Sequence, residues 1–386
     1  MLKDFKNQIL ALLKSKTGKN ISLTMSSNVL SSAFGFAGSI VVLRQCSEEI
    51  LGIIYSLIGL MMISAQVLDL GFTQTFIKVF NEKDADKTKI ASTTLFFKIG
   101  LATIGLVLGF VFSVPLERAL FGEGPKYQFY IHLTLVVIFI QILGSFFSTK
   151  LQAEHRFKQF SLTRSLPHFL KFSLLVSLLF LDKIELLFVY IAFVFVPLFT
   201  FLLSLFRNFN NLAVRAISST KVKEIWSISK WVFLASVVNT FLGQTDILMV
   251  RSIVGESELA TLLGGQKLAS AFPLLLTSLL QVLLPKVSSM KGRKELNYFI
   301  RKSFFVTIPI IISAIPLFFF SGTLVQILIG ERYFESAAIF NVYSFGFLMS
   351  FLSTPLSLVL IRLNKEKELA IMNSIQLVLN ITLNYL

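Results

Sequence analysis

Apolar runs of about twenty residues alternate along the chain with short polar stretches. A run of that length crosses a hydrocarbon core of ~30 Å at about 1.5 Å of rise per residue. The runs predict eleven helical spans, at residues 21–43, 51–80, 90–114, 127–147, 166–181, 186–206, 228–254, 259–287, 299–320, 337–361 and 369–386. A membrane β-barrel would instead repeat alternating segments of ~10 residues, and these are absent. Several runs exceed ~20 residues, which predicts tilt, kinks or extension beyond the bilayer. Proline at 167, 197, 273, 309, 316 and 355 lies within or beside spans, where it removes a helix donor and permits a bend. Gly105 and Gly109 form a G-x-x-x-G on the third span, a weak packing signal.

The spans repeat. Arg44 ends the first span and Arg251 ends the seventh, 207 residues later. The same shift carries the loop at 81–89 onto the basic loop at 288–296, and the loop at 115–127 onto the loop at 322–334. Glu49-Ile-Leu-Gly52 also rhymes with Ser257-Glu-Leu-Ala260. The expected architecture is an all-α polytopic membrane protein of two parallel-related helical bundles, an arrangement that transporters use. It divides into an N-terminal segment at 1–20, a six-helix bundle at 21–206, a linker at 207–227 and a five-helix bundle at 228–386. The counterpart of the sixth span would fall at 393–413, beyond residue 386, so a twelfth span is expected of the intact design and the chain reads as truncated.

Composition agrees with a membrane solvent. The chain is 54% hydrophobic and 15% charged, with 41 phenylalanines and a mean hydropathy of +0.76. A soluble domain carries about 25% charged residues, so a soluble enzyme, a disordered chain and a disulfide scaffold are excluded. The net charge of +15 suggests nucleic acid only in a soluble protein. Here 27 of the 36 Lys and Arg residues fall in alternate polar stretches, six in the intervening ones and three inside spans. The positive-inside rule then predicts a multi-pass membrane protein with its N-terminus in the cytoplasm, and no nucleic-acid partner. Leu2, Phe5, Ile9 and Leu12 are spaced like one face of a basic amphipathic helix on the inner leaflet, though a frayed positive tail fits equally. Cys46 is the single cysteine and reads as filler at the outer end of the first helix.

Soluble catalytic signatures are missing: there is no P-loop and no H-E-x-x-H, and His132, His155 and His168 read as isolated structural or interfacial residues. No cofactor, metal site or enzymatic activity is expected. The longest outer loop, 321–336, leaves no room for an outer catalytic domain, which argues against a polysaccharide polymerase or ligase. The chemistry therefore rests on charges inside spans, each costing roughly 2.5–3.5 kcal/mol at a helix centre on insertion scales. These are Asp69, Lys98, Lys171, Asp246 and Lys267. Lys98 and Lys171 lie near enough to the inner face to snorkel. Asp246 continues a polar stripe of Ser236, Asn239 and Gly243, and Lys267 begins a second stripe of Ser270, Thr277 and Gln281. Two such faces on adjacent spans predict a hydrated lumen between them, or interhelical hydrogen bonding in a tight bundle. Asp246 and Lys267 lie at equal distance from the turn at Glu256 and Ser257, so they are expected to face each other across the hairpin.

Several of these segments resemble the oligosaccharide flippases of the superfamily that also contains the multidrug and toxic-compound extruders (MATE). Asp69-Leu-Gly-Phe-Thr73 is similar to the signature that closes the second helix there. Leu151-Gln-Ala-Glu-His-Arg-Phe-Lys158 resembles the family's Gln-Ala-x-x-Arg-Phe loop. Thr245-Asp246 with Arg251, and Leu284-Pro285, resemble its seventh and eighth helices. The resemblance implies a MATE-like fold, a place in the bacterial inner membrane and the turnover of an undecaprenyl-diphosphate-linked oligosaccharide from the inner to the outer leaflet. Its partners would be that lipid-linked oligosaccharide, membrane lipids and a coupling ion, proton or sodium. Asp69, Lys98, Lys171, Asn239, Asp246, Lys267 and Gln281 are the candidate substrate and ion path. A drug or cation antiporter of the same superfamily and a non-transporting membrane scaffold are the alternatives.

Overall fold

The computed structural model of the chain describes residues 16–82, 86–122, 126–208, 219–274, 276, 287, 292–363 and 365–385. The N-terminal amphipathic segment, Thr277 and Gln281 lie outside them. All regular structure among the described residues is helical. The N-terminal half consists of α1 (Lys16–Gln45), α2 (Glu48–Asp69), α3 (Phe72–Phe80), α4 (Lys87–Val111), α5 (Ser113–Phe121), α6 (Gln128–Ala153), α7 (Phe157–Phe180) and α8 (Leu186–Asn208). After it come α9 (Ser219–Ile253), α10 (Glu256–Ala269), α11 (Arg293–Phe319), α12 (Ser321–Ile329), α13 (Ser336–Arg362) and α14 (Glu366–Tyr385).

Among the described residues, six helices are long and apolar enough to cross a membrane by themselves. The pair Ile311–Phe319 and Ser321–Ile329, bent by 74°, would make a seventh. The expected spans at 166–181, 228–254, 259–287 and 369–386 fall on α7, α9, α10 and α14, none of which meets that criterion within the described residues. The protein is a multi-pass, all-α membrane protein. Helix α9 begins at Ser219, inside the stretch expected to be a linker.

The second expected span is not continuous. It breaks at Leu70 and Gly71, both left-handed with φ of 49° and 71°. Glycine adopts that conformation without steric cost. It also lets α9 close in: a Cβ at position 71 would lie 2.8 Å from the Ser229 carbonyl oxygen and 2.9 Å from the Phe233 amide nitrogen. Beside the break, Phe72, Phe76, Val79 and Phe80 pack with Ile90, Phe146, Phe147 and Ile225 in one apolar cluster shared by both halves. Within a bilayer such a cluster holds α3 by close packing, because lipid tails are as apolar as these side chains.

At the opposite end two arginines of the second half reach the first. Arg332 Nη2 donates to the carbonyls of Leu43 (3.3 Å) and Cys46 (2.5 Å), closing the carbonyl end of α1 with a positive charge. Arg251 pairs with Glu256 at 2.7 Å, donates to Ser56 Oγ at 3.4 Å and lies 4.7 Å over the Phe121 ring. Cys46 is buried beneath this layer, and burial pushes its thiol up to about 12, so it stays protonated.

Candidate functional site

The intramembrane charges fall into three clusters with different chemistry. The first is closed on itself. Lys98 is wholly buried, and its Nζ donates to Asp69 Oδ1 at 2.5 Å, Thr73 Oγ1 at 2.7 Å and Ser145 Oγ at 3.3 Å. Thr73 in turn donates its hydroxyl and amide to the Asp69 carboxylate at 2.5 and 3.2 Å. Lys98 therefore does not snorkel. A carboxylate within reach of its ammonium holds it inside the bundle, and the left-handed turn after Asp69 brings Thr73 back onto the pair.

The second cluster is open. A cavity of about 560 Å³ lies among α1, α2, α3, α6, α7 and α8, with Lys267 of α10 its lining residue from beyond them. Helix α7 contributes Arg164, His168 and Lys171 at i, i+4 and i+7, one face of the helix. The Lys171 ammonium lies 4.5 Å from the centre of the Phe193 ring, Lys267 lies 4.8 Å from Tyr55, and Arg164 lies 6.0 Å from Phe160. Ring faces offset part of the desolvation of a cation but leave its N–H donors free. Lys171 and Lys267 are close enough to repel each other. No carboxylate lines this cavity among the described residues, and His168 Nδ1 is buried there without a partner. Two lysines, an arginine and an imidazole thus face one largely apolar space with no counter-charge among the described residues that line it.

The third cluster surrounds Asp246. Tyr343 donates its hydroxyl to Oδ2 at 2.5 Å, and Asn380 and Asn384 donate their amides to Oδ1 at 3.0 and 2.6 Å. Gln266 extends the set through Tyr343 at 3.4 Å. These groups are neutral, and the buried oxygens Asn380 Oδ1 and Gln266 Oε1 have no donor among the described residues. Asn239, earlier on α9, accepts from Asn373 at 3.4 Å.

Asp246 and Lys267 do not pair. Their partners lie in different directions, Asp246 towards α13 and α14 and Lys267 towards Tyr55 of α2. Equal depth on a hairpin fixes height but not the direction in which each helix turns its polar face. Arg164, which reads in sequence as an inner-loop charge, and His168, which reads as structural, both belong to the open cavity. Their spacing with Lys171 was the available signal. Tyr343, Asn380 and Asn384 had no such signal, because their role depends on which helix packs beside α9.

The polysaccharide biosynthesis protein family matches residues 17–291, a stretch that holds Asp69, Lys98, Arg164, His168, Lys171, Asp246 and Lys267. A Shigella flexneri protein provisionally named an O-antigen transporter is 21% identical over 343 residues, covering 83% of this chain and 79% of that protein. Among solved structures, the lipid II flippase MurJ in an inward closed conformation superposes with a TM-score of 0.75 at 19% identity, over 94% of this chain and 81% of that one. The multidrug transporter DinF-BH gives 0.65 at 15% identity over 94% and 85%. The fold is MATE-like. With the match spanning most of its length, the chain belongs to the polysaccharide biosynthesis protein family.

Proposed function

We propose that the protein flips an undecaprenyl-diphosphate-linked oligosaccharide from the inner to the outer leaflet of the bacterial cytoplasmic membrane, for surface polysaccharide synthesis. The observation that carries this is the open cavity with Arg164, His168, Lys171 and Lys267 and no lining carboxylate among the described residues. Cations away from bulk water attract a diphosphate strongly, and each N–H···O–P contact is charge-assisted. The polar headgroup would travel through this space while the lipid tail stays in the bilayer. A drug or cation antiporter would need a negative cavity, and this one is positive. The Shigella relative and the flippase fold support the same class of cargo.

Asp246 supplies the coupling site in this proposal. Its carboxylate has hydrogen-bond donors but no cation among the described residues, and unpartnered oxygens lie close by. A proton or sodium ion would complete the set. The cargo charge and the coupling charge then occupy separate places and communicate through the packing of α9 and α10 rather than by direct exchange.

The test is deletion of the gene in its host. Lipid-linked repeat units should accumulate on the inner leaflet, and expression of the complete gene product should restore their appearance outside. Repeat units that still reach the outer leaflet at the normal rate in the deletion would overturn the proposal.

A further inference from the structure

A smaller chamber of about 290 Å³ adjoins the cationic cavity, and Thr73, Gln141 and Ser145 line both. Its volume is at the low end of the roughly 300–1,000 Å³ found for small-ligand sites. The walls include Gln66 of α2, Asp69, Gln141 of α6 and Thr240 of α9. Its charge is already compensated, because Asp69 is bound to Lys98. A diphosphate would find no free cation there and a carboxylate beside it, and a polyprenyl tail would meet Met62, Ala65 and Ile142 but leave the Gln66 and Gln141 amides unsatisfied.

The two glutamines stand out by what they lack. Gln141 Oε1 is buried without a donor, and neither Gln66 nor Gln141 makes a side-chain hydrogen bond among the described residues. A primary amide offers two donors and an acceptor, so its natural complement is a group that both donates and accepts. Thr240 adds free lone pairs from the other half, since its hydroxyl hydrogen is directed to the Ser236 carbonyl at 2.9 Å. Sugar hydroxyls and an acetamido group carry this mixed donor and acceptor character.

We infer that Gln66 and Gln141 form a sugar subsite, which holds the glycan residue attached to the diphosphate while the diphosphate occupies the cationic cavity. The inference rests on the flippase proposal above. It assigns the two kinds of polar surface to two parts of one headgroup, with charged side chains for the phosphates and neutral amides for the sugar. A site whose buried amides are left unpaired discriminates against a ligand that lacks the matching groups.

The test uses the full chain in nanodiscs and two probes: undecaprenyl diphosphate, and the same lipid diphosphate carrying a single N-acetylhexosamine. The unaltered protein should bind the sugar-bearing probe more tightly. Gln66→Leu should weaken binding of that probe by about tenfold and leave undecaprenyl diphosphate unaffected, and Gln141→Leu, at a residue shared with the cationic cavity, should weaken the sugar-bearing probe by about tenfold more than undecaprenyl diphosphate. Gln141→Asn keeps the amide but draws it back by one methylene, and should give the same selective loss at smaller size. Unchanged binding of the sugar-bearing probe by these variants, or equal weakening of both probes, would overturn the subsite. Failure of the unaltered chain to bind either probe would instead overturn the flippase proposal itself.

Discussion

Lys98 and Lys171 lie in the same helical bundle, 0% and 7% exposed, and the fold treats them oppositely. Lys98 has a carboxylate and two hydroxyls on its ammonium. Lys171 has the face of Phe193, a repelling Lys267 nearby and a cavity in front of it. A buried cation with a complete set of acceptors is part of the scaffold, because removing either partner strands the other. A buried cation kept only by ring faces retains unused donors, and those are available to a ligand. What separates structure from function here is therefore compensation rather than charge.

The comparison sets the order in which substitutions should affect stability. Lys98→Met should have the largest effect. It leaves the Asp69 carboxylate without its cation and should cost roughly 3–5 kcal/mol, read as a lowered thermal unfolding temperature and lower protein level. Adding Asp69→Asn to it should recover most of the loss. A single Lys98→Met variant as stable as the unaltered protein would remove the distinction between the two lysines.

Asp246→Asn should come next. An asparagine can still accept from Asn380 and Asn384 and can donate to Tyr343, so the stability cost should be about 1 kcal/mol or less. Its functional consequence should be specific. Transport by the variant should no longer vary with external pH or sodium, whatever rate remains. A variant with the same ion dependence as the unaltered protein would show that the coupling charge lies elsewhere.

Most of the fold was legible in the apolar runs, because a span of about twenty residues has few alternatives in a bilayer. The break after Asp69 was legible only through the resemblance, in which Asp69-Leu-Gly-Phe-Thr73 is similar to a signature that closes the second helix; the hydropathy pattern alone carries the span on to Phe80. The glycine of the left-handed turn is explained by the close approach of Ser229 and Phe233, which are remote in sequence. The candidate charges were all visible as costly residues in spans, yet their roles were not. Asp69 and Lys98 are 29 residues apart and nothing local marks them as partners. Asp246 and Lys267 are mirror residues of a hairpin, and the helix faces they occupy direct them to different neighbours. Arg164 and His168 show the reverse case: a periodic match with Lys171 is present in the sequence, but the loop-charge pattern claims Arg164 first.

The smallest effect on stability is expected from Lys171→Gln combined with Lys267→Gln, since this removes two mutually repelling charges and breaks no ion pair among the described residues. The same variant gives the most direct test of the account. Each lost charge-assisted contact should cost about 1.5–3 kcal/mol of diphosphate binding, roughly tenfold to a hundredfold per lysine. Binding of undecaprenyl diphosphate should therefore collapse in the double variant while its thermal unfolding temperature stays at or above that of the unaltered protein. Undiminished binding by a folded double variant would contradict the claim that this open, uncompensated cavity is where the cargo's charge is held.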